Sequence, residues 1–223
     1  MKSHRLENGQ SVTPQQSLAF LKEGNQRFLN NLRINRNLLQ LVNETAEQQF
    51  PFAAILSCSD SRISPELIFD QGLGDIFSIR LAGNIASENA IGSMEYACKY
   101  LGSKLIVVMG HTSCGAVKGA CADFELDCLN ELLDHIRLAI DHETTTFVGR
   151  NADNKTFVNN VARLNVVHNI EIIMRRSAIL RGMIEDGEVD IIGAMYHIET
   201  GKVSFLEAET LLEKEHIFHY QTA

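Results

Sequence analysis

The sequence predicts an α/β protein with a mostly parallel central sheet flanked by helices, one added antiparallel strand and an N-terminal helical arm. Three observations predict it. Short apolar runs alternate with longer amphipathic stretches, the order expected when crossover helices cover a parallel sheet. Two of the runs, Phe52 to Ser57 and Lys104 to Gly110, are continuously apolar, as strands buried on both faces are. Near the C-terminus, Val189 to His197 and Val203 to Leu206 flank the turn sequence Glu199-Thr200-Gly201-Lys202, which reads as a hairpin.

The elements follow in order. Thr13-Pro14-Gln15-Gln16 opens the arm: Thr13 can cap, Pro14 fits the first helical position and Gln16 completes a capping box. Leu18, Leu21, Phe28 and Leu32 continue it at roughly helical spacing. Asp75 to Arg80 is a further short strand. Ser87 caps a helix whose apolar face is Ile91, Met94, Cys98 and Leu101, with Gly102 to end it. Leu126, Leu129, Leu133, Ile136 and Ile140 mark another helix, and a long helical stretch runs from about Lys155 to Met183. No repeat, low-complexity segment or linker interrupts the chain. One domain over 1–223 is expected, with the arm at about 13–46, the core at about 51–206 and a tail at 207–223.

Composition narrows the function classes. The 223 residues are 45% hydrophobic and 22% charged, with a formal net charge of -8. An acidic chain of this kind is not expected to bind nucleic acid or an anionic membrane. Neither a secretory signal nor an apolar run of membrane-spanning length is visible. The five cysteines are an odd number in an enzyme-sized chain, which favours reduced thiols or a metal site over a disulfide framework. A cytoplasmic location is the expectation.

In open parallel sheets, sites form beyond the carboxyl ends of the strands. Two polar clusters fall there: Cys58-Ser59-Asp60-Ser61-Arg62 after the first strand, and His111-Thr112-Ser113-Cys114-Gly115 after the third. If those strands are neighbours, Cys58, His111 and Cys114 present two thiolates and one imidazole. Such a three-ligand set suits catalytic zinc and leaves a fourth position for water. A lone strand-end cysteine is more often a small buried hydrophobe, so the combination carries the argument. Asp60 and Arg62 are spaced to reach one cavity. A surface ion pair there is worth little. A bidentate contact from Arg62 would instead hold Asp60 as an acceptor that orients a bound hydroxide. Cys98 reads as core, and Cys121 and Cys128 as incidental thiols. His216 and His219 read as part of a solvated tail.

Together, the Cys-x-Asp-x-Arg motif at 58–62 and the His-x-x-Cys motif at 111–114 resemble those of the β-class carbonic anhydrases. The likeness runs from about Pro14 to Leu206, through Phe77-Ser78-Ile79-Arg80-Leu81-Ala82-Gly83-Asn84 and the 199–202 turn. The resemblance implies one zinc per subunit on Cys58, His111 and Cys114, and Asp60 and Arg62 as a catalytic dyad. It implies hydration of carbon dioxide to bicarbonate and a proton by a zinc-bound hydroxide. Gln49 matches the substrate-binding amide of the plant-like branch, and Phe77 and Tyr96 match an aromatic wall that the neighbouring subunit contributes. A homodimer or homotetramer is implied. In one subclass a bicarbonate site containing a tryptophan drives closure of aspartate onto zinc. This chain has no Trp, and Ile55 stands at that place, so such closure is not expected here.

Two thiolates cancel the charge of the metal, so its water should ionise on the order of pH 8 rather than near 7. Three other readings stay open. One is a hydrolase of carbon disulfide or carbonyl sulfide on the same scaffold. The second is a non-catalytic zinc-stabilised interaction protein with Asp60 as fourth ligand. In the third, Cys58 is a nucleophile with His111 as base, which leaves Cys114 unexplained.

Overall fold

A computed structural model describes residues 12–125 and 127–206. The chain runs α1 (Pro14–Leu29), α2 (Leu38–Thr45), β1 (Ala53–Ser57), α3 (Pro65–Ile68), β2 (Ile76–Arg80), a 3-10 turn (Ala82–Asn84) and α4 (Glu88–Lys99). It continues with β3 (Leu105–His111), α5 (Gly115–Cys121), α6 (Asp127–Asp141), α7 (Lys155–Arg176), α8 (Ala178–Glu185), β4 (Asp190–Tyr196) and β5 (Val203–Phe205). The sheet order is β2-β1-β3-β4-β5, parallel except for the antiparallel β4–β5 pair. The expected architecture is therefore the observed one. Leu126, His216, His219 and the 207–223 tail lie outside the described residues.

Every residue of β1 and β3 is buried, including Ile55, which explains their unbroken apolar sequences. α7 lies across β3 and β4, and α4 across β1 and β2. On α4, Ile91, Met94 and Cys98 point into the core, and Ser87 caps the helix by accepting from the Ala90 amide at 3.3 Å. Burial pushes the Cys98 thiol up to about 12, so it is inert packing.

At α1 the capping box forms as the sequence predicts. Gln16 N–H donates to Thr13 Oγ1 at 3.2 Å, and Thr13 N–H donates to Gln16 Oε1 at 2.8 Å. The helix ends at Leu29, one turn short of Leu32. Asn25 then fastens it to the body, donating to Ile68 O and Gly201 O and accepting from Val203 N–H. Gly201 has φ 75, and a Cβ there would stand 2.9 Å from the Phe28 ring, so the hairpin turn needs glycine twice over.

The long helix expected from Lys155 to Met183 is two helices. Ser177, at φ -108 and ψ 100, ends α7 and caps α8. Its hydroxyl accepts from Leu180 N–H, capping α8, and also donates to Glu95 on α4.

Buried Asp70 joins the arm to the core. Arg27 Nε donates to one carboxylate oxygen at 2.6 Å, and Arg36 Nη1 to the other at 2.8 Å. The Ile34 amide also donates to it, at 3.3 Å. Burial alone would raise this carboxyl, but Arg27, Arg36 and the amide together hold it below the usual carboxylate range. Its contribution to stability is thus complete above about pH 4 and lost as pH falls through the depressed value. Asp70→Ala would leave Arg36 buried and uncompensated, at a cost of about 3–5 kcal/mol in denaturant unfolding at pH 7. At pH 3 the gap between the two proteins should narrow.

Candidate metal centre

Parallel pairing of β1 with β3 places Ser57 beside Met109, so Cys58 and His111 leave the sheet at the same edge and nearly the same height. Cys114 follows one turn later at the start of α5. The Sγ atoms of Cys58 and Cys114 and a ring nitrogen of His111 lie within 4.8 Å of one another, and all three residues are buried. Among the described residues this is the one such group of three or more potential ligands.

Its chemistry fits a divalent cation. His111 Nδ1 lies 3.0 Å from the Thr112 carbonyl, a bond that requires it to donate. Nε2 is buried with no hydrogen-bond partner, which is the condition of a nitrogen shaped to ligate. The sulfurs share a charge. A hydrogen bond from Cys114, with further help from His111 and the amides of Asp60 and Gly83, holds the Cys58 thiol well below its usual range against the effect of burial. The Cys58 sulfur and burial together keep the proton on Cys114. A soft dication would displace that proton and satisfy both sulfurs.

Asp60 stands beside this group without joining it. Its two oxygens accept from Arg62 Nε at 2.9 Å and Nη2 at 2.7 Å, a bidentate contact, and one oxygen also accepts from Arg62 N–H at 3.0 Å. The Arg62 guanidinium keeps the Asp60 carboxyl far below the usual carboxylate range. The acid is therefore ionised at any working pH, and both its oxygens are engaged by Arg62.

Several supporting residues were not singled out in the sequence. Arg80 donates to the carbonyls of Cys58 and Asp60 at 3.2 and 2.8 Å, fixing the first loop. Thr112 Oγ1 donates to Glu199 at 2.9 Å and accepts from Ile198 N–H at 3.1 Å, tying the second loop to the β4–β5 turn. Ser113, at φ 55, donates its amide to Asn159 Oδ1 at 3.0 Å. A cation at the carboxyl end of β2 was a readable signal for Arg80. Nothing local marks Asn159.

The structure does not bring Gln49, Phe77 and Tyr96 to this centre within one chain. Phe77 pairs with Ala54, three residues and about 10 Å below the carboxyl edge of the sheet. Its ring meets Tyr96 at a centroid distance of 6.2 Å. Gln49 and Tyr96 line one open groove of about 550 Å³ with Gly74 and Leu101, residues that precede β2 and β3. All three thus belong to the amino-terminal side of the sheet.

Fold and site define an α/β protein with a Cys-His-Cys centre and an adjoining carboxylate–guanidinium pair. The carbonic anhydrase family model matches residues 53–203. Carbonic anhydrase 2 of Mycobacterium tuberculosis is 35% identical over 185 residues, covering 82% of this chain and 87% of that one. The carbonic anhydrase of Mycolicibacterium smegmatis is 35% identical over 190 residues, covering 82% and 88%. A structure of tetrameric β-carbonic anhydrases from Sordaria macrospora superposes with a TM-score of 0.66 at 27% identity, covering 76% of this chain and 87% of that chain. The chain belongs to the carbonic anhydrase family, in its β class, and is an enzyme of that kind.

Gly83 is the tightest point of the centre. It has φ 69, and a Cβ there would stand 2.7 Å from Ile136 Cδ1. Gly83→Ala should cost about 1–3 kcal/mol, measured by denaturant unfolding.

Proposed function

We propose that the enzyme carries out zinc-dependent, reversible hydration of carbon dioxide to bicarbonate and a proton, with Cys58, His111 and Cys114 holding the zinc. The observation that carries this reading is the orientation of Asp60. A structural zinc site is closed by four protein ligands, whereas a catalytic one keeps a position open. Here three ligand atoms converge, and the carboxylate that would be the fourth is engaged by Arg62. That geometry favours the enzyme over the non-catalytic interaction protein.

When bound, zinc supplies the Lewis acidity that makes water a nucleophile near neutral pH. The protein residues do the rest. Asp60, held ionised by Arg62, can only accept hydrogen bonds, so it orients the attacking water with a lone pair toward the carbon of the substrate. Gln49 donates its amide to a substrate oxygen. Phe77 and Tyr96 form an apolar wall around a neutral substrate. These three roles carry the plant-like reading.

Because Gln49, Phe77 and Tyr96 lie on the far side of the sheet from their own Cys58, a neighbouring subunit supplies them. The surface supports such assembly. α2 buries none of its residues and leaves Leu38, Leu39 and Val42 exposed, Leu39 at 77%, and Tyr100 beside Tyr96 is 79% exposed. A homodimer or a homotetramer, like the tetramers of Sordaria macrospora, would cover them. Among the described residues no helix is long and apolar enough to cross a membrane.

Stopped-flow hydration of carbon dioxide on zinc-loaded protein should show activity rising with pH through a midpoint of about 8. Asp60 does not contribute that limb, since Arg62 keeps it ionised throughout. Asp60→Asn should lower the rate by about 10–100-fold with zinc still bound. Bound zinc with no turnover at any pH, while carbonyl sulfide or carbon disulfide is hydrolysed, would move the assignment to that substrate class. Dilution tests the shared site separately: activity per chain should fall as sedimentation shows monomer appearing, and a fully active monomer would refute it.

A further inference from the structure

Two backbone amides, those of Asp60 and Gly83, each donate to the Cys58 sulfur at 3.4 Å. The first belongs to the turn that Cys58 itself begins. The second arrives from the 3-10 turn after β2, at a left-handed glycine, and needs something to hold it there.

The holder is α7. Asn165 Nδ2 donates to Gly83 O at 2.8 Å, and Asn169 Oδ1 accepts from Ala86 N–H at 2.6 Å. Asn169 Nδ2 in turn donates to Asn165 O at 2.7 Å and to Asn165 Oδ1 at 3.1 Å. Both asparagines are completely buried. Asparagine is a weak helix former, and two buried amides carry a desolvation cost that an aliphatic pair would not. Their hydrogen bonds offset that cost, and they converge on one short segment, 83–86, which presents its Gly83 amide to the sulfur.

We propose that Asn165 and Asn169 are positioning residues that act through Gly83 to set the donor strength of the Cys58 sulfur. This rests on Cys58 being a metal ligand. An N–H···S hydrogen bond withdraws electron density from a thiolate, so less of the cation's charge is cancelled. Partners behind the ligands commonly tune a metal in this way. The matter is acute in a site with two thiolates, where excess sulfur donation would leave the cation a poor Lewis acid. Asn165 keeps the amide on the sulfur, and Asn169 keeps Asn165 and Ala86 in line.

The test uses full-length protein loaded with cobalt(II), whose sulfur-to-metal charge-transfer band reports donor strength directly. In Asn165→Ala the band should move to lower energy, as expected of a sulfur relieved of a hydrogen bond. Ile173→Val, a buried change two turns further along the same helix, should lower stability and leave the band in place. If Asn165→Ala does not fold, Asn169→Ala releases Ala86 and loosens Asn165 while leaving the Asn165–Gly83 bond in place, and should move the band the same way by less. An unmoved band in a folded Asn165→Ala or Asn169→Ala protein overturns the inference while the metal assignment stands. A wild-type protein that takes up cobalt with no charge-transfer band overturns the assignment of the cysteines, and this inference with it.

Discussion

The parallel pairing of β1 with β3 is the constraint on which the rest depends. Its register sets Ser57 against Met109, so two chain segments 52 residues apart reach the same sheet edge together. A slip of one residue would turn Cys58 to the opposite face and dissolve the Cys-His-Cys group. The register is secured by burial on both faces. β1 and β3 carry apolar side chains to helices on both faces, and a shifted pairing would have to repack all of them. The remaining devices at the centre refine positions that this pairing has already made neighbours.

Electrostatics then divides the labour between two anionic groups. The sulfurs are buried, and their charge is held by a shared proton, by backbone amides and, in the proposed holoenzyme, by zinc. Asp60 lies nearer the surface, where Arg62 neutralises it through three hydrogen bonds. Keeping the carboxylate on its own guanidinium would prevent it from competing for a cation held by the sulfurs. Asp70 follows the same rule for a different purpose: two arginines on a buried acid fasten the arm, and with it the apolar surface of α2, to the core.

Much of this was legible in the sequence because the signals were local. The Thr13–Gln16 capping box, the Ser87 cap, the apolar strands and the 199–202 turn are set by neighbouring residues, and all appear. The convergence of Cys58, His111 and Cys114 was legible because both motifs follow recognisable strands. What escaped depended on partners distant in sequence. At the Ser177 break the serine also meets Glu95 of α4, a contact no local pattern announces. Asn165 and Asn169 read as ordinary helix residues until Gly83 and Ala86 are placed opposite them. The resemblance already gave Phe77 and Tyr96 to a neighbouring subunit, but sequence alone did not show that Gln49 and Tyr96 line one groove at the amino-terminal side of the sheet.

The anchoring of the centre also orders events during synthesis. Cys58, His111 and Cys114 all lie within the first 114 residues, yet the 111–114 loop is fastened by Asn159 and Glu199, and the 83–86 segment beside Cys58 by Asn165 and Asn169. A nascent chain emerging from the ribosome therefore exposes two cysteines and a histidine well before the scaffold that fixes their geometry exists. Until β4 and the following turn have left the exit tunnel, those thiols are an open chelator with no shape to select one metal over another. If these residues hold the proposed zinc, its selective loading belongs to the closing stage of translation or to the released protein.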